Sequence, residues 1–385
     1  MEKIIVNAKE FKKGLATLKT LKAKKNDIDL LNFSVSENQL TVTRYVQASI
    51  DEKTSVSVTF LGADALENTD FTIVTKDNLK RIIDCTALSD ETAIEFSEYE
   101  LSVNGFNFAK TESDYNDIDF EAKEKINFNT KDFQNAIKKC AGVINKNTTR
   151  DILKNVLINI EENNVNMYAT DSFRLANVKT QCIAENKNNF SVYLNVASSV
   201  EKAIAKLSSN QLDLEYSEES NVKYVAIKTD NITIKNVTSG NSYPDVKRLI
   251  NDNSILDVEF NKKELLGILK SISKKDYFAM DMNLEENSIE VLLIDGNNKN
   301  TILNRFNLNM FKINNADSYS FKNDKRFTVV FDKNFIESIL KLIKEDTVLM
   351  SFSGEIRPTT IKEKDTIFII VPIRPCDKLK EEIGL

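Results

Sequence analysis

The chain has 385 residues, 41% of them apolar, with 52 basic against 58 acidic side chains and a formal net charge of −6. That is longer than one ordinary domain and apolar enough to build several cores, so two or three domains are expected. Histidine is absent, which excludes a Ser-His-Asp triad, an HExxH zinc site and an imidazole general base.

The nine glycines never stand five apart or as a GxG pair, which removes the Walker A loop and the dinucleotide fingerprint. Carboxylates are plentiful, but no pair is marked above a solvated surface as an acid/base or magnesium site. The opening residues MEKIIVNAKEF lack the apolar run of a signal peptide, and no stretch approaches a membrane helix. A cytoplasmic protein is expected. Cys85, Cys140, Cys182 and Cys376 are far apart with no CxxC pair, which fits reduced core thiols better than a disulfide framework.

In chain order, the first predicted element is a strand running into an amphipathic helix, VNAKEFKKGLATLK from Val6. A hairpin follows, FSVSENQLTV from Phe33, with period-two apolar residues on either side of a Glu-Asn turn. Next comes a second strand-then-helix phrase, VTKDNLKRIID from Val74. The same order then returns. FNTKDFQNAIKKC from Phe128, INIEENNVNM from Ile158 and LNVASSVEKAIAKL from Leu194 form a second copy, and FNKKELLGILKSI from Phe260, MNLEENSIEV from Met282 and VFDKNFIESILKLI from Val330 form a third.

The chain therefore reads as three copies of one unit, with expected domains at residues 1–124, 125–254 and 255–385. Phe11, Leu79, Phe133, Val200, Leu265 and Phe335 are the expected helix anchors. Tight hairpins rather than crossover helices join the strands, so two helices per copy should cover antiparallel sheet. The fold class is α+β.

Charge separates the helices from the rest. The six helical windows, residues 7–25, 75–85, 130–146, 195–207, 261–275 and 332–346, together carry +14, so the remainder of the chain carries −20. Exposed lysines are ordinary helix formers, and solvated faces are one reading. The other is that the helices face a polyanion while the outer surface repels it. Twelve such helices from two chains, side by side at about 10 Å, would make a circle about 38 Å across at their axes. Allowing about 10 Å for helix width leaves an opening on the order of 28 Å, enough for a duplex whose grooves add up to roughly 16 Å of depth.

With these repeats, and with ATDSFRLA, YPDVKRLI and IIVPIRP in their expected order, the sequence resembles the bacterial DNA sliding clamp, the beta subunit of DNA polymerase III. The resemblance spans the whole chain. It implies a head-to-tail homodimeric ring that encircles double-stranded DNA without reading sequence, catalyses nothing and needs no cofactor. It further implies that the ring confers processivity by tethering the DNA polymerase, clamp-loader subunits and repair factors through clamp-binding peptides.

The peptide pocket implied by the resemblance falls on Leu153, on Thr170, Ser172, Phe173, Arg174 and Leu175, on Pro244, Arg248 and Leu249, and on the final strand Ile369, Ile370, Val371, Pro372, Ile373 and Arg374. Chemically this set is an apolar slot with cationic rims, suited to leucine or phenylalanine anchors. The family often has histidine where this chain has Phe173, and here the VPIRP motif runs on into CDKLKEEIGL. Leu379, Ile383 and Leu385 of that extension either lie in the same slot or form an inert tail.

DNA-facing candidates are Lys12, Lys13, Lys19, Lys22, Lys24, Lys25, Lys138, Lys139, Lys202, Lys206, Lys270, Lys274 and Lys275, since lysine on a flexible stem suits a sliding track. Phe106 and Phe108 are expected at the subunit interface, opposite Ile272. Two other readings stay open at this point, a diverged non-ring paralogue acting as a peptide-binding scaffold and an enzyme using carboxylates and a metal.

Overall fold

The computed structural model describes residues 2–63, 69–86, 90–112, 115–183, 189–240, 242–250, 254–271, 273, 277–295, 302–314 and 326–374. Six α-helices occur among them: α1 (Ala8–Leu18), α2 (Asn78–Cys85), α3 (Thr130–Ala141), α4 (Val200–Ile204), α5 (Lys262–Lys270) and α6 (Lys333–Leu340). Four begin where an asparagine or aspartate closes a strand. Asn7 accepts from the Glu10 amide at 3.0 Å, Asn129 from Lys131 and Asp132, Asn261 from Glu264 at 3.1 Å, and Asp332 from Asn334 at 2.7 Å. Each bond satisfies an otherwise orphaned amide of the first turn, which is why the strand stops and the helix starts there. In contrast, α2 and α4 start after Asp77 and Ser199, both left-handed and without a side-chain cap bond.

Five of the six expected anchors, Phe11, Leu79, Phe133, Val200 and Leu265, are buried. Phe335 is the exception. Counted from the cap, Phe11, Phe133 and Leu265 stand four residues on, and in α6 that place belongs to Ile336, which is fully buried. Phe335 is displaced by one position and stays half-buried.

The chain divides into two compact units, one of residues 1–137, 146–165 and 180–243, the other of residues 138–145, 166–179 and 244–385. In the first, an eight-stranded sheet runs in the order Thr69–Val74, Ile28–Ser36, Gln39–Ser49, Glu52–Leu61, Ile232–Ser239, Val222–Lys228, Gln211–Glu219, Glu124–Asn129. Its two halves meet edge to edge in register Ile232↔Val58 through Val237↔Lys53, so each half covers the other's open edge. Two-residue turns at Glu37-Asn38 and Ser220-Asn221 have positive φ at both positions, the geometry that matches strand twist in tight hairpins. A four-stranded sheet, Glu2–Asn7, Glu91–Phe96, Glu100–Val103 and Phe106–Ala109, completes the first repeat.

In α1, Phe11, Leu15 and Leu18 face this core while Lys12, Lys13 and Lys19 face outward. Its C-terminal end is held by buried Arg44, whose Nη1 donates to the carbonyls of Leu18 and Leu21 while Nε and Nη2 grip Asp29.

The second unit repeats the scheme. Arg174–Gln181 joins Thr366–Ile370 antiparallel, with Arg174 opposite Ile370 and Leu175 opposite Ile369, and the sheet continues through Thr359–Glu363, Thr347–Phe352, Leu256–Asn261 and Phe311–Asn314. A four-stranded sheet of Ile302–Leu308, Ser288–Ile294, Tyr277–Asn283 and Arg326–Asp332 carries the remaining core. The strand pairings described here are antiparallel, and helices and sheets together make an α+β fold.

Candidate functional site

The segment YATDSFRLA ends the strand Asn164–Thr170 and starts the strand Arg174–Gln181. Asp171 organises the turn between them. Its Oδ1 accepts from the amides of Phe173 and Arg174 at 3.0 and 2.7 Å, and the Thr170 hydroxyl donates to the Arg174 carbonyl at 2.6 Å. Ser172 takes φ +79°, a strained value for a side chain with a Cβ that these bonds hold in place. Phe173 is thereby turned outward and is 57% exposed.

Arg174 turns the other way. Asp171 Oδ2 accepts from its Nε and Nη2, Nη1 donates to Ser338 Oγ at 2.5 Å, and Nη2 also donates to the Val143 carbonyl at 3.1 Å. The guanidinium carbon lies 4.7 Å from the centroid of the Phe335 ring, a cation–π contact. Phe335 in turn stacks against Phe173, with centroids 5.8 Å apart and planes inclined by 25°. The Phe173 carbonyl accepts from the Val371 amide at 2.9 Å, which ties the turn to the last strand.

One helical turn away, Lys139 Nζ bonds Glu363 at 2.6 Å and Thr366 at 2.8 Å, and Glu363 also accepts the Lys344 amide. Burial pushes the Glu363 carboxyl up, but the Lys139 ammonium and the backbone donors outweigh it and hold the carboxyl below its ordinary range. At Gly142 a Cβ would stand 2.5 Å from Leu342 Cδ1, so the missing side chain is what lets the chain after α3 approach Leu342.

Thr170, Ser172, Phe173, Arg174, Val371 and Phe335 thus meet in one place. Others of the expected set do different work. Leu175, Ile369 and Ile370 are core residues, and Leu153, in the first unit, is buried in the short helical turn Asp151–Lys154. Pro372 is buried as well, and Ile373 packs against Ala279, Ile294 and Val330. Arg174 is not a free cationic rim, because Asp171 neutralises it and each of its nitrogens is engaged. Of the other cations expected here, Arg374 is exposed, and Arg248 is exposed but paired with Asp245 at 2.9 Å, next to the half-exposed Leu249. Pro244 is half-buried. Residues 375–385 lie outside the described residues.

Sequence reasoning missed Asp171, Val143, Phe335 and Ser338 as parts of this site. A D-x-x-R spacing within a turn was the available signal for Asp171, and counting from the Asp332 cap would have released Phe335 from the core.

Among the DNA-facing candidates, Lys12, Lys13, Lys19, Lys22, Lys24, Lys25, Lys138, Lys202, Lys206 and Lys270 are exposed. Lys139 is consumed by its ion pair with Glu363, and Lys274 and Lys275 lie outside the described residues. On the edge strand Phe106–Ala109, Phe106 is 45% exposed, whereas Phe108 is 2% exposed with the Arg81 guanidinium 5.1 Å from its ring centre. Phe108 therefore belongs to the core of its own unit. Ile272 is also outside the described residues.

Known proteins share several of these features. Residues 127–245 match the family model of the DNA polymerase III beta subunit, central domain. A beta sliding clamp of Rickettsia bellii is 23% identical over 355 residues, covering 88% of this chain and 83% of that protein. The crystal structure of the DNA polymerase III beta subunit from Thermotoga maritima shares the fold, with a TM-score of 0.79 at 18% identity over 97% of this chain and 100% of that one. The Helicobacter pylori beta clamp bound to a DNA ligase peptide superposes with a TM-score of 0.74 at 15% identity, covering 97% of this chain and all of that one. With its α+β fold and these matches along nearly its whole length, the chain is similar to the bacterial beta sliding clamps, and its residues 127–245 match the central domain of the DNA polymerase III beta subunit.

Proposed function

We propose that the chain works as a sliding clamp in the cytoplasm, closing as a head-to-tail homodimer around duplex DNA and tethering a DNA polymerase, clamp-loader subunits and repair factors for processive synthesis. Each chain would contribute three clamp domains, at residues 1–124, 125–254 and 255–385. The observation that carries this reading is the exposed lysine face of α1 on a chain of net charge −6, on a fold shared end to end with beta clamps. Lysines at Lys12, Lys13, Lys19, Lys22, Lys24, Lys25, Lys138, Lys202, Lys206 and Lys270 would line the DNA side, with Lys274 and Lys275 continuing the track. Ring closure would bury Phe106, backed by Phe108, against the partner's third domain near Ile272.

Partner peptides would dock on the turn of Phe173 and the final strand through Val371, with Arg374, Arg248, Leu249 and Pro244 along the rim. A bound ligase peptide in the Helicobacter pylori relative supports this class of partner. Two apolar anchors buried there would supply roughly 3 to 6 kcal/mol before ordering costs, which favours micromolar, exchangeable binding. Sedimentation of the purified chain tests the oligomeric premise. A species near twice 43.7 kDa is required, and a monomer at every concentration would leave only a peptide-binding scaffold.

A further inference from the structure

We infer that Glu337 is a built-in counter-anion that keeps Lys341 from acting on DNA phosphate, so that the grip on the duplex falls on the unpaired lysines of α1 rather than on α6. The inference rests on the DNA-encircling reading and names which of the chain's lysines carry it.

Lys333, Glu337 and Lys341 follow one another at four-residue steps along α6 and its C-terminal cap, which sets the carboxylate between two ammonium groups on one stripe. Glu337 Oε1 accepts from Lys341 Nζ at 2.5 Å, and Oε2 lies 3.8 Å from Lys333 Nζ. An ordinary surface pair would yield its lysine to a phosphate, because it contributes little. This pair is lopsided. The Lys341 side chain is 59% exposed but that of Glu337 only 17%, so drawing Lys341 away leaves a shielded carboxylate without its closest partner. The Lys341 hydrogen bond holds the Glu337 carboxyl below its ordinary range against the opposite push of burial, and the charges of Lys333 and of Lys270 on α5 add to it. A lysine already neutralised in this way has no counterion to exchange for a phosphate, and adds nothing to the salt dependence of binding. On α1 the lysines Lys12, Lys13, Lys19, Lys22, Lys24 and Lys25 are exposed, and among the described residues none of them is ion-paired. Composition points the same way. Residues 7–25 hold seven lysines against one glutamate, whereas residues 332–346 hold three lysines against four carboxylates.

The test uses the full-length chain and a short fluorescent linear duplex, with anisotropy titrations at several salt concentrations giving the slope of log affinity against log salt. Lys12→Gln/Lys13→Gln is expected to flatten the slope by about 0.9 for each lysine that meets a phosphate, while Lys341→Gln leaves it where it is. Glu337→Gln should steepen the slope by about 0.9, one released lysine, and adding Lys341→Gln to it should take that gain back, a coupling that independent charges do not show. If Lys341→Gln alone flattens the slope as much per lysine as the α1 variant, Lys341 is already free and the masking is overturned, a result that needs no Glu337 variant to fold. An equal effect of Lys341→Gln in both backgrounds would overturn it too, and in either case the DNA reading stands. A parent slope that the α1 variant does not move would overturn the DNA-facing lysines and the masking together.

Discussion

Asp171 and Arg174, three residues apart, are joined side by side: the carboxylate Oδ2 accepts from Nε at 2.9 Å and from Nη2 at 2.7 Å, with both side chains largely shielded from water. Removing one member of such a pair leaves the other charge buried and uncompensated, which costs about 3–5 kcal/mol. Asp171→Ala should therefore destabilise the chain by about that amount in denaturant unfolding, because it also removes the acceptor for two turn amides. Asp171→Asn keeps that acceptor, and should cost less. An Asp171→Ala protein as stable as the parent would show that the pair braces nothing.

Gly14 sits on α1 against the strand Glu52–Leu61, where a Cβ would stand 2.3 Å from Phe60 Cζ and 2.9 Å from Val58 Cγ1. Alanine gains about 1 kcal/mol of helix propensity over glycine, but forcing a methyl into a packed core costs about 1–3 kcal/mol. Gly14→Ala is expected to lower the melting temperature. Combined with Phe60→Leu, the loss should be smaller than the sum of the two single changes, a coupling that a double-mutant cycle reads directly.

Glu363 sets a pH dependence. Its carboxyl is held below its ordinary value of 4.5 in the folded protein, burial notwithstanding, by Lys139 and the Lys344 amide. A depressed folded value means the stabilisation is full above the unfolded value and is lost as pH falls through the folded one. Stability should thus decline below about pH 4.5, and Glu363→Gln should flatten that part of the curve while lowering the plateau above it. Denaturant midpoints between about pH 3 and 6 provide the measurement. Parallel curves for the two proteins would remove Glu363 from the titration.

At the proposed subunit contact, Phe106→Asp places a charge where ring closure would desolvate it. Analytical ultracentrifugation should show a shift from dimer toward monomer with unchanged far-ultraviolet circular dichroism, since Phe106 is 45% exposed in the single chain. Phe108→Asp would instead unfold its sheet, because that ring is buried under Arg81. An unaltered dimer in Phe106→Asp would put the contact elsewhere.

Much of this fold could be read from local chemistry. Asn7, Asn129, Asn261 and Asp332 announce four helix starts because the cap bond involves residues two or three apart, and Glu37-Asn38 announces a hairpin because its turn needs positive φ at both positions. What stayed hidden depends on distance along the chain. Arg174 reads as a rim cation until Ser338 and Val143, far away in sequence, take up its donors. Lys139 reads as one more exposed lysine until Glu363 arrives beside it. Phe335 looks like an anchor because it is aromatic and near a helix start, and only the cap at Asp332 shows that Ile336 fills that place. Nothing in the period of Glu52–Leu61 or Ile232–Ser239 says that these two strands will pair with each other.

Topology offers the most direct test. The protein is loaded by its clamp loader onto nicked circular DNA, washed at high salt, and the retained fraction is compared before and after the circle is cut once. A closed ring stays on the intact circle, since linkage does not depend on the phosphate contacts that salt weakens, and it slides off once the DNA is linear. Equal salt-sensitive loss from circular and linear DNA would contradict encirclement and leave a chain that binds duplex only by charge.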